Sequence, residues 1–269
     1  MNWFYLFFTK NNYKIRVLQL FFFILSLFGI FRAPLLWVLF GFVAYVFLET
    51  FAGNIALHRY FGHKSFKTSK RWHSFLAFLG HYIGVGSIIS WVGQHRYHHL
   101  HSDTALDVHC PKNTGVFNIL FGIWKVKIES SMVRDVLRDP ILVFWHRNYW
   151  KLHISLLFLF FTLDRLFESW MLFSLYALPN LMCLVSGYIL AIVPHLRGYK
   201  KYSINDESRN CWITNIYTLG EGWHNNHHAN PQRLRQGEEW WEWDLPASVV
   251  EKLIQTEYSS DTFVQKIRV

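Results

Sequence analysis

At 269 residues the chain is long enough for one large domain or two small ones. With 52% hydrophobic, 19% aromatic and only 17% charged residues, it departs from soluble domains, where about 25% are charged. The net charge of +9 can signal nucleic acid, but in so apolar a chain it suits anionic lipid headgroups and the orientation of membrane insertion, so no nucleic-acid partner is expected.

In chain order, apolar runs occupy residues 17–30, 34–56, 154–163 and 170–194. Crossing ~30 Å of hydrocarbon takes about 20 mostly apolar residues. The second and fourth runs satisfy this alone. The other two satisfy it with Tyr13, Tyr149 and Trp150 placed at the interface. The sequence predicts four transmembrane helices in two hairpins, at about 15–31, 34–57, 150–168 and 170–194. No small-residue cleavage site follows the first run, where Phe31-Arg32-Ala33-Pro34 leads into the second, so a cleaved signal peptide is not expected. Lys10, Lys14 and Arg16 precede the first run, and residues 58–149 and 195–269 are basic. The two short loops between spans contribute only Arg32 and Arg165. Positive charge stays on the cytosolic side, which places both termini and both long segments in the cytosol.

Residues 72–91 are apolar but carry His73, His81 and three glycines, the pattern of a helix lying in the interface or dipping into the membrane. A second interfacial element is expected at 116–128. The tail is strand-poor, and no repeat or linker divides the chain, so residues 1–269 read as a single all-α membrane domain with a helical cytosolic cap. Cys110, Cys183 and Cys211 form neither a C-x-x-C pair nor a disulfide framework.

Fifteen histidines are concentrated in three boxes on the expected cytosolic side. The first is His58-Arg59-Tyr60-Phe61-Gly62-His63, the second His95-Arg96-Tyr97-His98-His99, and the third His224-Asn225-Asn226-His227-His228. The last two share i, i+3, i+4 spacing, which on an α-helix puts all three rings on one face within roughly 100° of arc. His58 and His63, five apart, fall about 140° from each other on a straight α-helix. They need a helix end between them, which Gly62 suits, or separate roles. Imidazole suits zinc, copper, iron and nickel. A closed structural zinc site uses four ligands, and eight histidines imply two metal ions with positions open for oxygen.

These boxes resemble the membrane fatty-acyl desaturases, most closely the stearoyl-type branch. Gly220-Glu221-Gly222-Trp223 before the third box is characteristic, as are Trp91, Asp103, Asp107-Val108-His109, Arg147-Asn148-Tyr149-Trp150, Asp206 and Asn210. The resemblance spans about residues 50–245. It implies four membrane helices and a cytosolic cap holding two irons through nine histidines, the ninth matching His195. It also implies O2 as co-substrate, an acyl lipid or acyl thioester substrate, and an external electron donor of the cytochrome b5 or ferredoxin kind. Asp103 and Asp107 are candidates for orienting the metal-binding histidines, Trp91 for lining an acyl tunnel, and Trp223 and Asn225 for one or the other of these roles. This chain departs from the pattern at two places. Ala191 stands where many members have Asn, four residues before His195. Gly93-Gln94 replaces the Arg-Asp pair of animal acyl-CoA enzymes, which leaves the acyl carrier open.

The expected activity is therefore introduction of a cis double bond, delta-9-like, into an acyl chain. Removing hydrogen from an unactivated methylene is beyond any acid–base side chain, so the metals supply the chemistry and the protein supplies orientation and exclusion of water. The nearest alternative is a di-iron membrane hydroxylase of a fatty acid, alkane or sterol. A metal transporter or metal receptor would place ionisable residues near mid-membrane. The four runs carry almost none, Glu49 being the nearest case.

Overall fold

The computed structural model describes residues 12–122 and 128–258. Lys10 and part of the 116–128 stretch lie outside the described residues. Among the described residues the regular structure is helical apart from one two-stranded ribbon.

α1 (Asn12–Arg32) runs to a break at Pro34, whose ring lacks an N–H and bars the helical conformation at Ala33. α2 (Leu35–Gly62) is regular over Leu35–Leu48 and then winds more widely over Glu49–Gly62. β1 (Phe66–Thr68) follows, then α3 (Lys70–Tyr82) and α4 (Ile88–His101). Ser69 and Ser87 cap these two helices, their side chains accepting from the Trp72 and Ser90 N–H groups. α5 (Val116–Phe121) precedes α6 (Pro140–Arg147), which Asp139 caps with proline at its first position. α7 (Tyr149–Phe167) and α8 (Leu172–His195) come next. The cap is completed by α9 (Trp212–Thr218), α10 (His224–Ala229), α11 (Leu245–Val249) and β2 (Gln255–Tyr258), which pairs antiparallel with β1.

Among the described residues, three helices are long and apolar enough to cross a membrane: Tyr13–Arg32, Leu35–Gly62 and Leu172–His195. They leave large apolar side chains uncovered, Phe31 at 77% and Leu35 at 72%, as lipid-facing surfaces do. α7, expected as a fourth span, is 19 residues long, but these include Lys151, Asp164 and Arg165.

The 72–91 stretch is two helices rather than one, joined by a turn at 83–87 that enters the bundle between α1, α7 and α8. Gly86, at φ +104°, takes a conformation that only glycine adopts easily. Non-helical backbone among apolar helices must have its polar groups satisfied, and neighbouring side chains do this. Gln19 Nε2 donates to the Gly84 carbonyl at 3.1 Å, and Asn180 Oδ1 accepts from the Gly84 N–H at 2.7 Å. The Tyr149 hydroxyl accepts from the Gly86 N–H at 3.1 Å, and His81 Nε2 from the Ile88 N–H at 3.3 Å. His146, just before α7, and His153, in its second turn, suggest interface placement by their position in the sequence but are buried here. His146 Nδ1 lies 2.6 Å from Ser87 Oγ, and His153 Nδ1 lies 2.5 Å from the Tyr176 hydroxyl.

Candidate metal centre

The first box gains its geometry from the wide winding of α2. The His63 N–H donates to the His58 carbonyl at 3.0 Å, a bond across five residues instead of four. Winding with bonds across five residues brings side chains five apart toward the same side, and the two ring centroids are 4.9 Å apart. The 140° offset of a straight α-helix therefore does not apply.

The second and third boxes are each divided between two groups. His95 and His99, one turn apart on α4, join His58, His63 and His227. His98 turns the other way and joins His224 and His228 of α10 and His195 at the end of α8. Within each group the candidate nitrogens all lie within 4.8 Å of one another. Nε2 faces Nε2 in four pairs: 2.6 Å for His63–His95, 3.0 Å for His58–His227, 3.1 Å for His99–His227 and 3.0 Å for His195–His224.

This arrangement fits metal ions. Burial above all, and then the neighbouring charges, hold His63, His95, His99, His224, His227 and His228 well below the usual imidazole value of 6.5. A neutral imidazole carries a ring lone pair, and Nε2 atoms that converge at these distances can share a cation. His228 Nε2 is buried with no hydrogen-bond partner among the described residues. An all-nitrogen donor set suits iron, zinc, copper or nickel.

Carboxylates stand behind four of the nine rings. His98 Nδ1 lies 2.9 Å from Asp107, and His195 Nδ1 and His228 Nδ1 each lie 2.8 Å from Asp103 and Asp206. His58 Nδ1 is 2.6 Å from Glu221 Oε2. A carboxylate on the far nitrogen fixes the tautomer and turns the other nitrogen toward the metal. Burial would raise the Glu221 carboxyl, but the Arg59 guanidinium and His58 hold it down to about 2. Glu221 and Asp206 are visible in the sequence only as parts of motifs; the signal that marks them is a carboxylate folded back onto a box. Gly220, at φ +143°, makes the turn that aims Glu221, and a Cβ on Gly222 would fall 2.3 Å from the Asn215 nitrogen.

The remaining candidates divide by position. Trp91 stacks on His95, with centroids 4.6 Å apart at 19°. Trp223 is a brace: its Nε1 donates to the Trp243 carbonyl at 2.9 Å, and its ring meets the stacked pair Trp212 and Trp241 edge-on. Asn225 is a strut whose Oδ1 accepts from the Lys201 and Tyr202 N–H groups at 2.8 and 2.6 Å. His109 approaches His98 at 5.8 Å between centroids, whereas His73 pairs with Asp139 at 3.0 Å and His101 packs at a tilt against Tyr97.

Long apolar helices ending in two adjoining all-histidine clusters define a membrane-associated protein of the histidine-box class. The chain belongs to the fatty acid desaturase family, whose profile covers residues 32–244. It is 35% identical over 208 residues to an sn-1 stearoyl-lipid 9-desaturase of Anabaena variabilis, covering 74% of each chain. It is 33% identical over 206 residues to Delta-9 acyl-lipid desaturase 2 of Arabidopsis thaliana, covering 73% of this chain and 65% of that one. An acyl-CoA C20 Delta5-desaturase of Anemone leveillei is 31% identical over 226 residues, covering 81% of this chain and 70% of that one.

Proposed function

We propose that this protein desaturates a fatty-acyl chain with O2, introducing a delta-9-like cis double bond at two irons held by the two histidine clusters. The observation that carries this reading is the pair of adjoining nitrogen clusters, five imidazoles beside four, at the ends of apolar helices. His58, His63, His95, His99 and His227 would hold one ion, and His98, His195, His224 and His228 the other. Bound iron would supply the oxidising power toward an unactivated methylene that no side chain has. The chain's own part is to bury the nine rings and aim them, with Glu221, Asp103, Asp107 and Asp206 behind four of them.

The relatives named above act on stearoyl-lipid, acyl-lipid and acyl-CoA substrates by their names, and an acyl lipid is the substrate class proposed here. Electrons come from an external donor of the cytochrome b5 or ferredoxin kind. α7 serves as a fourth span, consistent with exposed Ile154, Phe158 and Phe161, and the positive-inside pattern puts the clusters and both termini in the cytosol.

The test is gas chromatography with mass spectrometry of the fatty acids of cells expressing the chain. A new monounsaturated species is expected. A hydroxylated product would reassign the protein to the hydroxylases, and unchanged lipids from cells whose purified protein carries two irons would overturn the acyl-lipid reading.

A further inference from the structure

We propose that Arg59 and Arg96, each following the first histidine of its box, are positioning residues that clamp the three boxes together and set the geometry of the five-histidine cluster. The proposal rests on reading the clusters as metal sites.

A guanidinium has five N–H donors in a fixed fork. Arg96, on α4, uses them on five acceptors. Its Nε donates to the Gly62 carbonyl at 2.9 Å and one Nη to the Phe61 carbonyl at 2.9 Å. These are carbonyls at the end of α2, where a helix leaves its last acceptors unpaired, and they immediately precede His63. The remaining donors reach the Met132 carbonyl at 2.8 Å and grip Asp135 in a bidentate pair at 2.7 and 2.9 Å. Arg96 thus ties the helix of the second box to the end of the first, where His63 and His95 bring their Nε2 atoms within 2.6 Å.

Arg59 makes the matching tie from the first box to the third. It is 1% exposed, and its Nε donates to Glu221 Oε1 at 3.1 Å. Its Nη1 donates to Asp244 at 2.8 Å and to the Leu234 carbonyl at 2.9 Å. Glu221 in turn stands 2.6 Å from His58 Nδ1. The arginines therefore connect box two to box one and box one to box three, and the five-histidine cluster draws on all three boxes. The four-histidine cluster takes nothing from box one, and Asp103, Asp107 and Asp206 back three of its four rings. Loosening a clamp should cost one metal site and spare the other.

The experiment uses the full chain, purified in nanodiscs, stripped of metal and titrated with cobalt(II), with visible absorption and elemental analysis as readouts. The unaltered chain is expected to take two cobalt ions. Arg96→Gln should keep one at its original affinity and bind the second about 10–100-fold more weakly. Arg96→Lys keeps the charge but loses the fork, so it should behave like Arg96→Gln; full rescue by lysine would reduce Arg96 to charge neutralisation and overturn the clamp. Asp135→Asn leaves the three carbonyl contacts and should weaken the same site less, which decides the question if Arg96→Gln does not fold. Two cobalt ions bound with unchanged affinity by both Arg96→Gln and Asp135→Asn would refute the proposal. An unaltered chain that takes fewer than two would instead overturn the metal reading, and the clamp with it.

Discussion

The five-histidine and four-histidine clusters share the second and third boxes yet are held by different means. In the four-histidine cluster three rings are backed by aspartates, and each aspartate is itself fixed by backbone. The Glu207 N–H donates to Asp103, the Asp103 and His109 N–H groups to Asp107, and the Ser208 N–H to Asp206. Among the described residues, His58 alone in the five-histidine cluster has a carboxylate behind it, and the other four rings are placed by the helices on which, or at whose end, they sit. One site is oriented by charge and the other by its frame. The first should therefore respond to carboxylate changes, the second to changes in helix packing.

The largest effect is expected from His195→Ala, which takes one of four rings from the charge-oriented site. Metal content should fall from two ions to one, and desaturation should drop by more than the roughly 10–100-fold that losing even an outer partner costs. His101→Ala, outside both clusters, is the control; equal metal content and activity in the two variants would remove His195 from the site. Asp107→Asn and Asp103→Asn come next, with about 10–100-fold weaker metal binding confined to the four-histidine cluster. A titration in which both clusters weaken together would erase the contrast.

Acid should act on the metal-free fold through the depressed imidazoles, four of which belong to the five-histidine cluster and two to the other. Below 6.5 the unfolded chain takes up protons that the fold refuses. Their contribution is therefore complete above that value and is lost as pH falls. Glu221, at about 2 in the fold against 4.5 ordinarily, adds a second loss between those two values. The Tm of stripped protein should decline from pH 7 to 5, and a flat Tm there would contradict the buried neutral rings. The smallest effect is expected from Trp91→Ala. An aromatic pair such as Trp91–His95 is worth about 0.5–1.5 kcal/mol, so the five-histidine cluster alone should weaken several-fold in the same titration.

Much of this site is legible in the sequence because i, i+4 spacing on a helix is a geometric statement that packing does not change. His95 with His99, and His224 with His228, stay together for that reason. The pairing of His58 with His63 is not legible, because nothing in the sequence announces that α2 changes its winding after Leu48. The carboxylates behind His58 and His228 are also hidden: Glu221 and Asp206 are 163 and 22 positions away and meet their rings only through tertiary structure. Apolar runs disclose α1, α2 and α8, whereas the polar residues of α7 leave its depth a matter of packing.

The turn at 83–87 has a consequence for the order of assembly. Its backbone is completed by Gln19 from α1, Tyr149 from α7 and Asn180 from α8. Until α8 has left the ribosome and joined the bundle, the Gly84 N–H has no acceptor there, and unpaired backbone inside an apolar bundle costs several kcal/mol. The α3–α4 hairpin, and with it His95, His98 and His99, can reach final depth only after residues some eighty positions downstream have been made. The second box is encoded early and seated late, so on the proposed reading metal loading is expected to follow synthesis of α8.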